Sequence, residues 1–222
     1  MVPEEKKQTS KKTAQEELQD LYAQLESVAT TLPLATKPED IVPGEGSATA
    51  DILCIGEAPG QQEALERRPF VGRSGKLLRK QLVEQGLDLS ELYIANIVKV
   101  RPPENRDPTL DEIEAYRPYL EKEIEIIEPT IIVTLGRFSM AAFLPNVKIS
   151  QVHGRLHRVV YCEKQYYVFP MYHPAAALRG TKMLQAFQDD MKKIPKILAW
   201  IQEKRQSESL EEEVEKYVLQ SK

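Results

Sequence analysis

The sequence predicts an α/β fold, a parallel sheet flanked by helices, on three observations. Three short runs, ADILCIG at 50–56, LYIANIVKV at 92–100 and TIIVTLG at 130–136, are almost continuously apolar. That is the pattern of strands buried on both faces. Each run is followed by a segment of helical periodicity, and a strand–helix–strand order favours parallel pairing. Each run also ends in, or is followed by, glycine or polar residues, where open α/β sheets place their ligands.

The elements follow in order. Residues 1–12, MVPEEKKQTSKK, hold lysines but no apolar segment, so they read as a disordered lead-in rather than a secretory leader. Residues 11–28 are helical, with Leu18, Leu21, Tyr22 and Leu25 on one stripe. TKPEDIVPGEGSATA is a connector. After the first strand, SGKLLRKQLVEQG is a helix closed by Gly86. Thr109 and Glu112 form a capping box that opens a helix running to about Ile127. GRFSMAAFL gives a short helix after the third strand. LHRVVY and QYYVFPMYH read as strands separated by a turn at Glu163-Lys164. TKMLQAFQDDMKKIPKILAWIQ is the last amphipathic helix, with Pro195 as a kink or break. One domain over 13–203 is expected, followed by a charged tail over 204–222. The tail reads as solvated chain in preference to a partner helix with Leu210, Val214 and Val218 on one stripe.

Composition narrows the class. With 222 residues, 41% of them hydrophobic, the chain is long enough for one buried core. No apolar run approaches the roughly 20 residues of a membrane span. Two cysteines, Cys54 in a predicted strand and Cys162, exclude a disulfide framework and a Cys-rich metal site. They point to a reducing, cytoplasmic setting. His153 and His157 lie among basic residues and read as surface. No two histidines have metal-ligand spacing, so no metal is expected. The net charge of −4 argues against unspecific polyanion binding by the whole molecule. Charge is segregated, however. Residues 67–106 carry nine Lys and Arg against four Asp and Glu, a local excess of +5.

The strand ends supply a candidate site. After the first strand come Glu57, Pro59 and Gly60; the second contains Asn96; Gly136 ends the third; His173 and Pro174 follow the last. Phe70 lies in the loop above, within GEAPGQQEALERRPFVGRSG. That stretch matches neither glycine-rich phosphate motif. Taken singly, each residue has a plain structural role: a glycine turn, a solvated acid, an aromatic loop anchor, a strand-end histidine. Together they suit a nucleobase. An aromatic ring stacks on a base face for about 1–3 kcal/mol. An Asn amide presents one acceptor and two donors, and an imidazole stabilises charge growing on a base oxygen. The basic window would hold phosphates, which positions a nucleic acid without reading it.

With these residues in view, the sequence resembles uracil-DNA glycosylases of family 4. The matching segments are GEAPG at 56–60, RPFVGRSGKLL at 68–78, NIVKVRPPENRDP at 96–108 and HPAAALR at 173–179. The resemblance implies a three-layer α/β/α sandwich with a short central parallel sheet, and excision of uracil from DNA to leave an abasic site. It implies that Phe70 stacks on a flipped uracil, that Asn96 pairs with its N3–H and O4, and that His173 contacts O2 and stabilises the departing anion. Gly56, Ala58 and Gly60 would line the slot, with Glu57 and Glu63 positioning water or packing near C5. Arg73, Ser74, Lys99, Arg101 and Arg106 would hold the DNA backbone. Leu178 and Arg179 would enter the duplex or grip the backbone where the base left. The partner would be uracil-containing DNA, single- or double-stranded, and the protein a monomer.

Two departures from the family pattern stand out. Some branches of the superfamily place an Asp where this chain has Ala58, which leaves the water-activating group open between Glu57 and a water held by backbone. Family 4 enzymes hold a [4Fe–4S] cluster through four cysteines, and the corresponding positions here are Ala29, Leu32, Val100 and Tyr116. No cofactor is therefore expected. A covalent uracil-DNA binder of the same superfamily needs a His-bearing loop that KVRPPENRDPTLDEI lacks. The remaining alternatives are a glycosylase for another deaminated base, such as hypoxanthine, and a non-catalytic module that binds nucleic acid or nucleotides.

Overall fold

The computed structural model describes residues 12–220, with side-chain surroundings through residue 209. Helix α1 (Ala14–Ser27) is capped by Thr13, whose backbone N–H donates to Glu16 at 2.8 Å while its hydroxyl accepts from the Glu16 N–H. The connector contains a two-residue strand, β1 (Glu45–Gly46), without apolar pattern of its own. Then come β2 (Ile52–Gly56), the short α2 (Gln61–Glu66), α3 (Arg73–Glu84) and β3 (Leu92–Asn96). The expected capping box opens α4 (Leu110–Ile127), which is followed by β4 (Ile131–Leu135) and α5 (Arg137–Ala141). The remaining elements are α6 (Ile149–Val152), β5 (His157–Tyr161), β6 (Lys164–Met171), α7 (Pro174–Ala177), α8 (Thr181–Met191) and α9 (Ile194–Gln220).

The strands form one sheet in the order β1-β3-β2-β4-β6-β5. The inner four run parallel, in the registers Cys54 opposite Ile94, Cys54 opposite Val133, and Val133 opposite Phe169. The two edges are antiparallel, β1 on β3 and β5 on β6. The sheet is thus mixed at its rims and parallel at its centre.

Alternate residues of each inner strand feed opposite cores. Leu53, Ile55, Tyr93, Ala95, Ile132 and Val168 pack with α1 and α4 through Leu21, Leu25, Leu120 and Ile124. Ile52, Cys54, Ile94, Val133, Phe169 and Met171 pack with α3, α8 and α9 through Leu78, Leu82, Phe187 and Ile201. This is the three-layer α/β/α sandwich. It explains why the strands read as unbroken apolar runs: neither face meets water.

Several expectations are refined. The β5–β6 turn is centred on Cys162 and Glu163, both with positive φ (47° and 64°), one residue earlier than expected. Positive φ at both central residues matches the twist of a two-residue hairpin. Pro195 lies in the first turn of α9, so the expected single helix is two, α8 and α9. The tail is helical to Gln220, and α9 crosses the expected boundary at 203/204 without a break. The stripe of Leu210, Val214 and Val218 falls outside the side chains described, as does the lead-in before Lys12. Among the described residues no helix is long and apolar enough to cross a membrane.

Candidate active site

The carboxyl ends of β2, β3, β4 and β6 open onto one cavity of about 540 Å³. Phe70, Asn96 and His173, distant along the chain, all line it, as do Glu57, Ala58, Gly60, Glu63 and Ser74. Gly56, expected to line the slot, is instead buried behind Asn96 and Phe70 and does not itself line the cavity. A Cβ there would overlap both Oδ1 of Asn96 and the ring of Phe70, so the amide and the ring close over bare backbone. The Phe70 and His173 ring centroids are 5.8 Å apart, tilted by 34°.

Asn96 is the last residue of β3 and is 4% exposed. Beyond it the Ile97 N–H donates to the Gly56 carbonyl at 3.1 Å and the Val98 N–H to that of Glu57 at 3.0 Å. The two strand ends therefore stay in register past the sheet. His173 caps α7: its Nδ1 accepts the Ala175 N–H at 3.1 Å. That bond leaves the proton of the neutral ring on Nε2. Burial, helped by the charge of Arg179 and opposed by Glu63, pushes the His173 pKa down to about 4. The ring is neutral at physiological pH and offers Nε2–H as a donor.

Glu57 follows β2 and is half-buried. Burial raises its pKa to about 7; the nearby Asp107 carboxylate adds to the rise and Arg137 opposes it. Glu63 is buried, and its Oε1 accepts the N–H groups of Val71 (3.0 Å) and Gly72 (2.7 Å). Its carboxylate is thereby tied to the loop after Phe70.

The residues expected to hold DNA divide. Ser74 and Arg179 line the cavity, and exposed Arg73 stands beside Ser74 at the start of α3. Leu178, 45% exposed, precedes Arg179 at the rim. Arg101 donates from Nε to Oδ1 of Asn105 at 2.8 Å. Arg106 lines the cavity but gives both terminal nitrogens to Glu112, at 2.8 and 2.6 Å. Lys99 does not face DNA. It is buried and ion-paired with buried Glu123, because its aliphatic stem follows β3 into the core and its ammonium finds a carboxylate there.

His153 and His157, expected at the surface, are only partly exposed. Nδ1 of His153 lies 2.7 Å from the buried carboxylate of Asp190, and its ring packs on Tyr172 at 4.3 Å between centroids. The Nε2 of His157 is buried without a partner among the described residues. The sequence reading also missed Asn105, Asp107, Arg137 and Tyr172, all of which line the cavity. Arg137 follows the strand-end Gly136 and Tyr172 precedes His173, so the strand-end rule that found their neighbours marks these two as well.

The four positions matched to cluster ligands carry no thiolate. Ala29, Val100 and Tyr116 are buried in one apolar cluster, and Leu32 packs against it. The Tyr116 hydroxyl donates to the Pro33 carbonyl at 2.7 Å, so the space between α4 and the turn after α1 is closed by a side chain. Cys54 lies on the opposite face of the sheet, and Cys162 is exposed at the hairpin. These residues do not fit a [4Fe–4S] cluster, which needs soft sulfur donors.

The profile of the Uracil DNA glycosylase superfamily matches residues 43–199. A type-4 uracil-DNA glycosylase of Sulfurisphaera tokodaii is 48% identical over 159 residues, 69% of this chain and 72% of that protein. One from Archaeoglobus fulgidus is 43% identical over 159 residues, 69% of this chain and 79% of that protein. A DNA polymerase of Bacillus phage SP01 is 35% identical over 182 residues, 78% of this chain but 19% of the polymerase.

Proposed function

The chain belongs to the uracil DNA glycosylase superfamily, and we propose that the cavity at its strand ends is the slot in which uracil is cut from DNA. Uracil excision in DNA repair is the activity of the type-4 relatives and is the function of this chain. The observation that carries the assignment to this cavity is the convergence of Phe70, Asn96 and His173 on its lining.

In this reading the target nucleotide leaves the base stack, at a cost of a few kcal/mol. The Phe70 ring stacks on the uracil face. The Asn96 amide accepts from N3–H and donates to O4. Neutral His173 donates Nε2–H to O2, where negative charge grows as the glycosidic bond breaks. A preorganised donor of this kind is worth about 3–4 kcal/mol by analogy with oxyanion holes. The Glu57 carboxylate, ionised above about pH 7, faces the cation-like sugar and orients water. Water adds its oxygen to C1′, uracil takes up the proton, and an abasic site remains. Cytosine sets a donor where uracil sets an acceptor, and that mismatch with Asn96 costs about 1–3 kcal/mol.

Arg73, Ser74, Arg101 and Arg179 grip phosphates, and Leu178 fills the place of the extruded base. Hydrolysis draws on water alone, and with packed side chains at the four ligand positions we infer a cluster-free enzyme. It acts as a monomer in the cytoplasm.

The test is a panel of single- and double-stranded oligonucleotides bearing uracil, hypoxanthine, xanthine or thymine. Cleavage of the uracil strand, with thymine spared, is the expected result. Preferred cleavage at hypoxanthine would reassign the slot to that base. DNA binding with no abasic product from any strand would make the protein a binding module.

A further inference from the structure

Phe70 has a φ of 54°, in the left-handed region that an aromatic residue rarely adopts. Such a conformation is strained and persists only where the surroundings impose it. Here they act from both sides. Arg79, on α3, donates from Nε to the Phe70 carbonyl at 3.0 Å and from Nη2 to the Pro69 carbonyl at 2.9 Å. Glu63 takes the next two N–H groups, those of Val71 and Gly72. Gly75 lets α3 approach, since a Cβ there would overlap the Phe70 carbonyl.

Arg79 has a third partner. Its Nη2 also donates to Oε2 of Glu45 at 2.8 Å, and its side chain is only 19% exposed. Glu45 lies on β1, opposite Ile94 of β3, two residues before Asn96. Through Glu45 on β1 this guanidinium links the loop that bears the ring to β3, the strand that bears the amide; Arg68 also pairs with Glu45, at 2.7 Å. Arg79 itself does not line the cavity.

We propose that Arg79 is a positioning residue for base recognition: it fixes the Phe70 ring relative to Asn96 and so sets the width of the slot. The proposal rests on the reading of the cavity as the uracil slot. Arginine is required because its planar fork reaches two carbonyls and a carboxylate at once. Lysine keeps the charge but offers a single point of donation.

The test is a double-mutant cycle in the full-length protein. R79K is made in the native and the F70A backgrounds. Single-turnover excision from a uracil oligonucleotide and inhibition by free uracil are measured, with melting midpoints alongside. In the native background R79K slows excision and weakens inhibition by about tenfold or more. In the F70A background it changes either by less than about twofold, because the ring it places is gone. Equal effects in both backgrounds, or none in the native one, overturn the proposal. Should R79K not fold, E45Q in the same cycle gives about a threefold effect that again vanishes in F70A; an effect of equal size in both backgrounds, or no effect in either, overturns it. If the unmodified protein leaves uracil DNA intact, the slot reading fails and the proposal, which rests on it, falls with it.

Discussion

Lys99 and Glu123 form an ion pair in the interior, with side chains 1% and 0% exposed. Tyr22 donates its hydroxyl to the same carboxylate and accepts the Gly44 N–H at 2.6 Å, while the Tyr93 hydroxyl lies 3.4 Å from Oε1. The network ties α1, the connector, β3 and α4 together. Replacing Lys99 with Met leaves the carboxylate buried without its cation. Denaturant unfolding should register a loss of about 3–5 kcal/mol, and K99M/E123L should recover much of it. The salt dependence of DNA binding should not change in either variant.

That salt dependence should respond to the rim instead. Each phosphate contact removed lowers the slope of log K against log salt by about 0.9 on duplex DNA. R73A and R179A are each expected to do so, measured by binding to duplex carrying an abasic site. R106A should do so less, because its guanidinium is held by Glu112.

In the proposed mechanism Glu57 sets the pH dependence of excision. With a pKa near 7, excision should rise across neutral pH as the carboxylate ionises, and E57Q should flatten that limb. His173, held down to about 4, adds no limb there. Stability moves in linked fashion. The raised pKa of Glu57 means the folded state holds its proton more tightly than the unfolded chain. Stability is therefore lost as pH rises from the ordinary Glu range to about 7. The lowered pKa of His173 means stability is lost as pH falls from the ordinary His range to about 4. Melting curves from pH 4 to 8 for E57Q and the unmodified protein separate the two.

Tyr116 occupies a ligand position of the family pattern with a ring and a hydrogen bond to Pro33. The purified protein should be colourless, with neither iron nor labile sulfide, and its activity should survive chelator and oxidant. Y116F should cost about 1 kcal/mol for the lost hydrogen bond. A brown preparation with stoichiometric iron would contradict the packing argument.

Gly56 is required by crowding. In G56A the methyl would strike Asn96 and Phe70 together, and the strand end cannot retreat from a register fixed by β3 and β4. The expected outcome is a fold weakened by about 1–3 kcal/mol and excision reduced by about 10²-fold.

What the sequence made legible was set by periodicity and by strand ends. The inner strands β2, β3 and β4 announced themselves because both faces are buried, so no alternation interrupts them. Glu57, Asn96 and His173 followed from the rule that ligands bind at carboxyl ends. The two-residue β1 had no pattern to find. Lys99 was misread because a lysine is ordinarily solvated, and its partner Glu123 lies 24 residues away on α4. Arg79 was hidden for a related reason: two of its three partners are backbone carbonyls, which no residue pattern marks, and the third, Glu45, lies 34 residues away.

The most direct measurement is single-turnover uracil excision by N96A and H173A, with circular dichroism to verify folding. Excision should fall by at least about 10²-fold in each variant, with the melting midpoint close to that of the unmodified protein. Rates equal to the unmodified protein in both variants would contradict the account, because the cavity lined by Phe70, Asn96 and His173 would then not be where uracil leaves the DNA.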